Sequence, residues 1–284
     1  MTIDSRKVFK IYKSLERDQL KFVLDKKIED TLAISEWLEK LRRIAVMDTL
    51  GDESRRRSGN LSVTFGILTV AAFILTIYQP ILFFFPIGFL LLFLYFAITF
   101  FLLNKIDIRN NMRLFIVPLL EHYDRQGTAE KPFKLRMDFS NPISKERLQE
   151  EDEEDQAGSG NKYRHHWMDG NMEFKDGVKI SWEIEDVVRK KESRIKGDLS
   201  STSGKYQIAH VLNMRFAAPV DYFSVAKDDI MKTDDGQYYI IAIHKKDISE
   251  SLEDAMSPEI FIESVEEGYH FLTPHPQKER PDTI

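Results

Sequence analysis

The sequence predicts an α+β membrane protein with three parts: an N-terminal amphipathic helical region, a two-helix transmembrane hairpin, and a C-terminal β-rich cytoplasmic domain built as a sandwich or a barrel. Three observations predict it. Residues 61–103 contain no Asp, Glu, Lys, Arg or His, although the chain is 30% charged. Ahead of that run, apolar residues recur at steps of three and four, the period of a helix. Behind it, apolar residues alternate in short segments joined by Asp-Gly pairs, the pattern of β-hairpins.

The uncharged run divides at Gln79-Pro80 into residues 61–78 and 81–103. A spanning helix needs about 20 apolar residues, because the hydrocarbon core is about 30 Å thick. Pro80 interrupts any continuous helix, so the run reads as two helices with a tight turn, and Pro86 starts or kinks the second. A soluble helix keeps a polar stripe, and these segments have none. Arg55, Arg56 and Arg57 precede the first helix, and Lys105, Arg109 and Arg113 follow the second. Basic flanks stay on the cytoplasmic side. The expected location is therefore a bacterial inner (plasma) membrane with both termini cytoplasmic, a layout that recurs among bacterial membrane proteins. The polar residues within the run are Ser62, Thr64, Thr69, Thr76, Gln79 and Thr99. Without an intramembrane charge, the usual mark of an ion path, the hairpin reads as an anchor rather than a pore.

Residues 1–60 form the N-terminal helical region. Val8, Ile11, Leu15, Leu24, Ile28, Leu32, Leu38, Leu41 and Ala45 give residues 4–48 one apolar face, suited to an oligomerisation helix, to packing on the protein's own C-terminal domain or to a membrane surface. Residues 51–60 read as a polar linker. This region carries 14 basic and 11 acidic residues, and the part after the hairpin carries 26 and 35. An acidic C-terminal part lacks the basic footprint of a general nucleic-acid binder. The absence of cysteine excludes disulfides, thiolate metal sites and a Cys nucleophile.

Residues 104–127 continue the second helix, with Pro118 marking a bend. A β-rich domain over 128–284 follows. Residues 149–161 (QEEDEEDQAGSGN) repel themselves and form an exposed loop. Phe133, Leu135, Met137 and Phe139 alternate as a strand. Asp176-Gly177 and Asp235-Gly236 predict hairpins with type I′ turns. Tyr206, Ile208, His210, Leu212 and Met214 alternate again. Ser257-Pro258 opens a short helix that ends near Gly268.

Candidate chemistry is sparse. His165, His166 and His210 are metal-ligand candidates across neighbouring strands, though adjacent histidines on a strand face opposite ways. Arg189, Lys190, Lys191, Arg194 and Lys196 form a basic cluster suited to lipid headgroups or an anionic ligand. Gly204-Lys205 fails as a phosphate loop, because the required first glycine and the following Ser or Thr are missing. No nucleophile elbow, dinucleotide fingerprint or zinc-protease motif occurs, and no cofactor is expected. The predicted function is a non-enzymatic, membrane-anchored scaffold or subunit, whose partners are the lipid bilayer, further copies of itself and other protein subunits. The alternatives are a ligand-gated oligomeric membrane effector, and a membrane-bound hydrolase using His165 or His210.

Overall fold

A computed structural model describes residues 3–126, 131–149, 161–191, 205–225, 231–233 and 236–275. The chain divides into two compact units. The first comprises residues 1–26 and 40–108; the second comprises residues 27–39 and 109–284.

The first unit begins with α1 (Ile3–Ser14) and α2 (Arg17–Asp25). Glu16 and Gln19 close a reciprocal capping box on α2, and Gln19 Nε2 donates to the carbonyl of Lys40 at 2.9 Å. The helix then stops at Lys26, which turns left-handed at φ 58° and donates its N–H to Phe22 O at 2.7 Å. The expected continuous helix over 4–48 is interrupted first at Leu15 and Glu16 and again at Lys26, because residues Lys27–Leu32 form a strand, β1. Its apolar residues fit a helical period, but pairing with a second strand outcompetes that local preference.

Helix α3 (Ile34–Tyr78) is 45 residues long, about 67 Å at 1.5 Å per residue. It runs unbroken through residues 51–60, which are helical rather than the expected linker. Gly51 and Gly59 cost a helix about 1 kcal/mol each, too little to end one that is supported on both sides. A 3₁₀ turn (Pro80–Phe83) leads into α4 (Phe84–Lys105). The two apolar segments run antiparallel. Gly59 faces Phe100, Gly66 faces Phe93, and Phe65 stacks on Phe96 with ring centroids 5.6 Å apart. Glycine at these two positions leaves room for the facing phenylalanine rings. Both segments are long and apolar enough to cross a membrane, and only 11% and 17% of their apolar windows are buried.

After α4 the chain leaves the helical path at Ile106, so the expected extension is interrupted. Helix resumes as a π-helical turn (Met112–Ile116) that passes into α5 (Val117–Gln126), with Pro118 in the first turn of α5.

The second unit is built on an eight-stranded antiparallel sheet. Its strands are β1, β2 (Phe133–Asp138), β3 (Leu148–Gln149), β4 (Lys162–Glu173), β5 (Lys179–Lys191), β6 (Lys205–Pro219), β8 (Met231–Lys232) and β9 (Tyr238–Ser249). They lie in the order β1-β2-β4-β5-β6-β9-β8, with β3 beside β4. A small separate pair joins β7 (Phe223–Val225) to β10 (Leu272–Pro274). The path ends at β1 and β8, so the unit is neither the expected sandwich nor a barrel. Alternation fixed which face is apolar but not what covers it. Helices do so here: Phe261 of α6 (Pro258–His270) meets Trp182 edge-on at 5.3 Å, and Phe115 and Tyr123 pack beside it.

Two hairpin details depart from expectation. Gly177 (φ 81°) and Gly236 (φ 69°) are left-handed, but among the described residues Lys26 is the one non-glycine with positive φ. Asp176 therefore does not take the type I′ geometry. Gly177 instead closes a turn by donating to Phe174 O at 3.0 Å, and Gly236 does the same to Thr233 O at 2.8 Å. In β4 the register with β5 shifts between His166 and Met168, so Trp167 is a bulged extra residue. Before the bulge odd-numbered residues face inward, and after it even-numbered ones do. Trp167 and Met168 are both buried in consequence.

Glycines offer a check on this packing. A Cβ at Gly268 would lie 2.2 Å from Phe216 Cζ, whereas one at Gly51 meets nothing within 4 Å. Gly268→Ala should lower stability by about 1–3 kcal/mol through overpacking. Gly51→Ala should raise it by about 0.5–1 kcal/mol through helix propensity. Thermal unfolding of the purified protein measures both, and opposite signs are the expected result.

Candidate functional site

The inner face of the sheet is apolar except for one row. His165 of β4 pairs directly with Asp186 of β5, and Asp186 pairs directly with His210 of β6. Residues directly opposite in a sheet share a face, so all three point into the protein. They lie beside a small apolar cluster of Tyr163, Val188 and Ile208. Asp186 is 0% exposed. An isolated carboxylate so placed would be prohibitively costly, and three donors compensate. Arg109 Nη2 donates to Oδ2 at 2.7 Å; the Trp167 indole N–H and His210 Nδ1 both approach Oδ1, at 2.9 and 2.7 Å. Burial alone would raise the pKa of Asp186. The His210 hydrogen bond and the Arg109 charge outweigh it and hold the carboxyl below its ordinary range. The bulge in β4 is what brings the Trp167 indole to this carboxylate.

The network extends both ways. His210 Nε2 lies 3.2 Å from Ser249 Oγ. On the other side Arg109 Nη1 lies 3.4 Å from His165 Nδ1, and His165 Nε2 lies 3.8 Å from Asp138 Oδ1, beyond hydrogen-bond distance. Asp138 also receives Lys27 and Arg147, each at 3.1 Å, together with the Ser140 amide and hydroxyl. Burial opposes ionisation of Asp138, but these donors overcome it and hold its pKa well below the usual carboxylate range. Burial pushes the pKa of His165 down, and Arg147 and Arg109 push the same way against Asp138.

Ser249, His210 and Asp186 stand in the order of a serine-nucleophile relay. His210 is 0% exposed, however, so a substrate carbonyl has no approach to its ring in this conformation. The hydrogen bonds here satisfy a buried imidazole. His165 and His210 do not form a metal site either. Strand β5 separates them by two inter-strand spacings, about 9–10 Å, and Asp186 occupies the space between. His166 faces the opposite side, where it pairs with Glu183.

The basic cluster expected over 189–196 is described only in part. Arg189 and Lys190 are both exposed, and as neighbours on β5 they point to opposite faces. The side chain of Lys191, and all of Arg194 and Lys196, lie outside the described residues. So do residues 150–160 of the acidic loop.

Of the basic residues flanking the hairpin, Arg109 anchors Asp186, Arg113 donates to Asn110 Oδ1 at 2.6 Å, and Arg57 pairs with Glu53 at 2.5 Å. Arg56 is exposed and Lys105 closes the last turn of α4. Arg55 bridges Asp52 and Asp107 in the first unit. The carboxylates of Asp48, Asp52 and Asp107 approach within 4.8 Å of one another, a metal-like grouping of three. The Arg55 guanidinium already supplies the cation there, and Asp48 Oδ1 is engaged by the Ile108 N–H at 3.1 Å. Burial raises the pKa of Asp107 in spite of Arg55.

The outer face of the sheet holds a shallow concavity of about 610 Å³. Several of its polar groups pair across strands: Lys134 with Glu29 and Arg136 with Asp169, both at 2.5 Å, and His166 with Glu183. No protein-family model matches the chain, and no curated protein or solved structure is significantly similar to it.

Asp186→Ala should cost about 3–5 kcal/mol, since it strands the guanidinium of Arg109 in a buried site. Arg109→Met with Asp186→Leu should recover the part due to the stranded guanidinium but not the part due to the Trp167 and His210 donors, and urea unfolding of the single and double variants checks it. Because the folded-state pKa of Asp186 lies below its unfolded value, its contribution is complete above about pH 3.9 and is lost as pH falls through the folded value. The stability difference between Arg109→Met and wild type should therefore shrink in strong acid.

Proposed function

We propose that the protein is a membrane-anchored interaction subunit. The hairpin holds it in the bilayer, and the sheet unit meets protein partners on the cytoplasmic side. The carrying observation is the exposed apolar surface of the hairpin. Ile77, Ile81 and Phe84 are 78%, 84% and 80% exposed, within a continuous belt of Val, Ile, Leu and Phe. A water-soluble protein rarely exposes an apolar patch beyond a few hundred Å². Lipid is the solvent that such a surface fits, and a helix satisfies its interior backbone groups within itself, as lipid demands.

The hydroxyls of the hairpin support an anchor over a pore. Thr64, Thr69, Thr76 and Thr99 each donate to the carbonyl four residues earlier, at 3.0, 2.7, 2.8 and 2.9 Å. They spend their hydrogen-bond capacity inside their own helices, as threonines in apolar helices do. Arg55–Arg57 and Lys105 at the two ends of the hairpin keep both flanks on one side. The non-enzymatic reading rests on the burial of His165 and His210.

The absence of cysteine makes topology directly measurable. Gln79→Cys in the hairpin turn and Ser251→Cys after β9 each introduce one thiol. In right-side-out cells an impermeant maleimide should label Gln79→Cys and leave Ser251→Cys unlabelled until the cells are opened. The chain should also remain in the membrane pellet after alkaline carbonate. Release by carbonate, or labelling of Ser251→Cys in intact cells, contradicts the proposal. A native mass above that of one chain in mild detergent, from extra copies or other subunits, is the expected sign of the interaction role.

A further inference from the structure

Two adjacent histidines in β4 have opposite surroundings. His166 lies on the outer face beside Glu183 and Asp169, while His165 lies inside at 2% exposure. The inner ring meets a guanidinium: Arg109 Nη1 is 3.4 Å from Nδ1. A guanidinium only donates. The nitrogen facing it must therefore be the bare acceptor, and the ring proton belongs on Nε2, toward Asp138. This arrangement needs a neutral ring. A second proton would put an N–H against an N–H and add a like charge within 3.4 Å.

The groups that face the ring cannot absorb that charge without rearrangement. From β2 and the loop after it come Asp138 and Arg147, and Asp138 is already engaged by Lys27 of β1, Arg147 and Ser140. From the loop after α4 comes Arg109. From β5 comes Asp186, committed to Arg109, Trp167 and His210. Beyond it stand His210 of β6, bonded to Ser249, and Asp247 of β9, directly opposite His210 in register.

We propose that His165 is a proton-sensitive latch: protonation of its ring expels Arg109 from the buried row and loosens the bulged half of β4. The sign follows from linkage. In an opened state the ring meets water and takes a proton near its ordinary value of about 6.5. In the closed state burial holds the pKa lower. Acidification below about pH 6.5 therefore favours opening, and the effect is complete once pH passes the closed-state value. The latch rests on the geometry of the second unit and does not require the membrane reading.

Hydrogen–deuterium exchange on the full-length protein in mild detergent tests it, at pH 7.5 and 5.5 with rates corrected for intrinsic chemistry. Amides of residues 109–116 and 162–170 should exchange faster at the lower pH, by up to roughly tenfold, the limit set by the one pH unit between 5.5 and the opened ring's ordinary value of about 6.5. The middle of β5 and β6 around Ile184 and Leu212 should change little. His165→Asn should abolish the acceleration, and His166→Asn should keep it. No acceleration in wild type, equal acceleration in His165→Asn, or uniform acceleration across the sheet overturns the latch. Should His165→Asn fail to fold, the wild-type protein still decides. The His165 ring should titrate below 6.5 together with the Trp167 indole N–H resonance, and independent titration of the two overturns the proposal.

Discussion

The second unit is organised around one buried carboxylate. Asp186 sits in the middle of the longest strands with no access to water, and a charge there is tolerated only while its donors stay in place. That requirement constrains three separate parts of the chain. It fixes the bulge in β4, which aims the Trp167 indole. It fixes the register of β5 against β6, which sets His210 opposite. It also fixes the segment after α4, because Arg109 must reach into the sheet. Aromatic packing of Phe115 on Trp167, with centroids 5.7 Å apart, holds the same segment from its apolar side. Packing and charge thus specify one placement together. Neither would be as selective alone, since apolar contacts tolerate repacking and a lone ion pair offers little net stability.

The first unit follows a different rule. Its two apolar segments meet through glycine and phenylalanine, with Phe65 stacked on Phe96, while Ile77, Ile81 and Phe84 stay exposed. Glycine against phenylalanine at Gly59 and Gly66 sets the helix separation. Below the apolar run α3 is an ordinary amphipathic helix, with Trp37, Leu41 and Ile44 fully buried. One continuous helix therefore carries two side-chain patterns, amphipathic in its first part and apolar in its second. At the end of α4 the Arg55–Asp107 pair and the Asp48–Ile108 hydrogen bond fasten the chain just before it leaves for the sheet.

The strand edges left open among the described residues are guarded. On β1 the Asp30 side chain accepts the N–H of Thr31, and on β9, beyond its short pairing with β8, Asp247 does the same for Ile248, both at 2.9 Å. Such caps, together with Lys245 and Lys246 on β9, discourage pairing with a further strand.

Local pattern was enough to read the apolar hairpin, its turn at Gln79-Pro80, the alternating strands and the proline-initiated helix α6, because each depends on neighbours in sequence. The opposed faces of His165 and His166 were legible for the same reason. The strand at Lys27–Leu32 was not, because its partner β2 lies about a hundred residues away and local periodicity favours a helix. Nor was the site: Asp186, Arg109, Asp138 and Arg147 look like ordinary surface charges until strand order sets them side by side. An extra residue at Trp167 inverts the inward-facing parity of β4, and no count along the sequence announces it. The sequence by itself determined which segments avoid water and which alternate. Only the tertiary structure decided which charges must be buried together, because a buried charge is compatible with folding solely through partners that the chain brings from elsewhere.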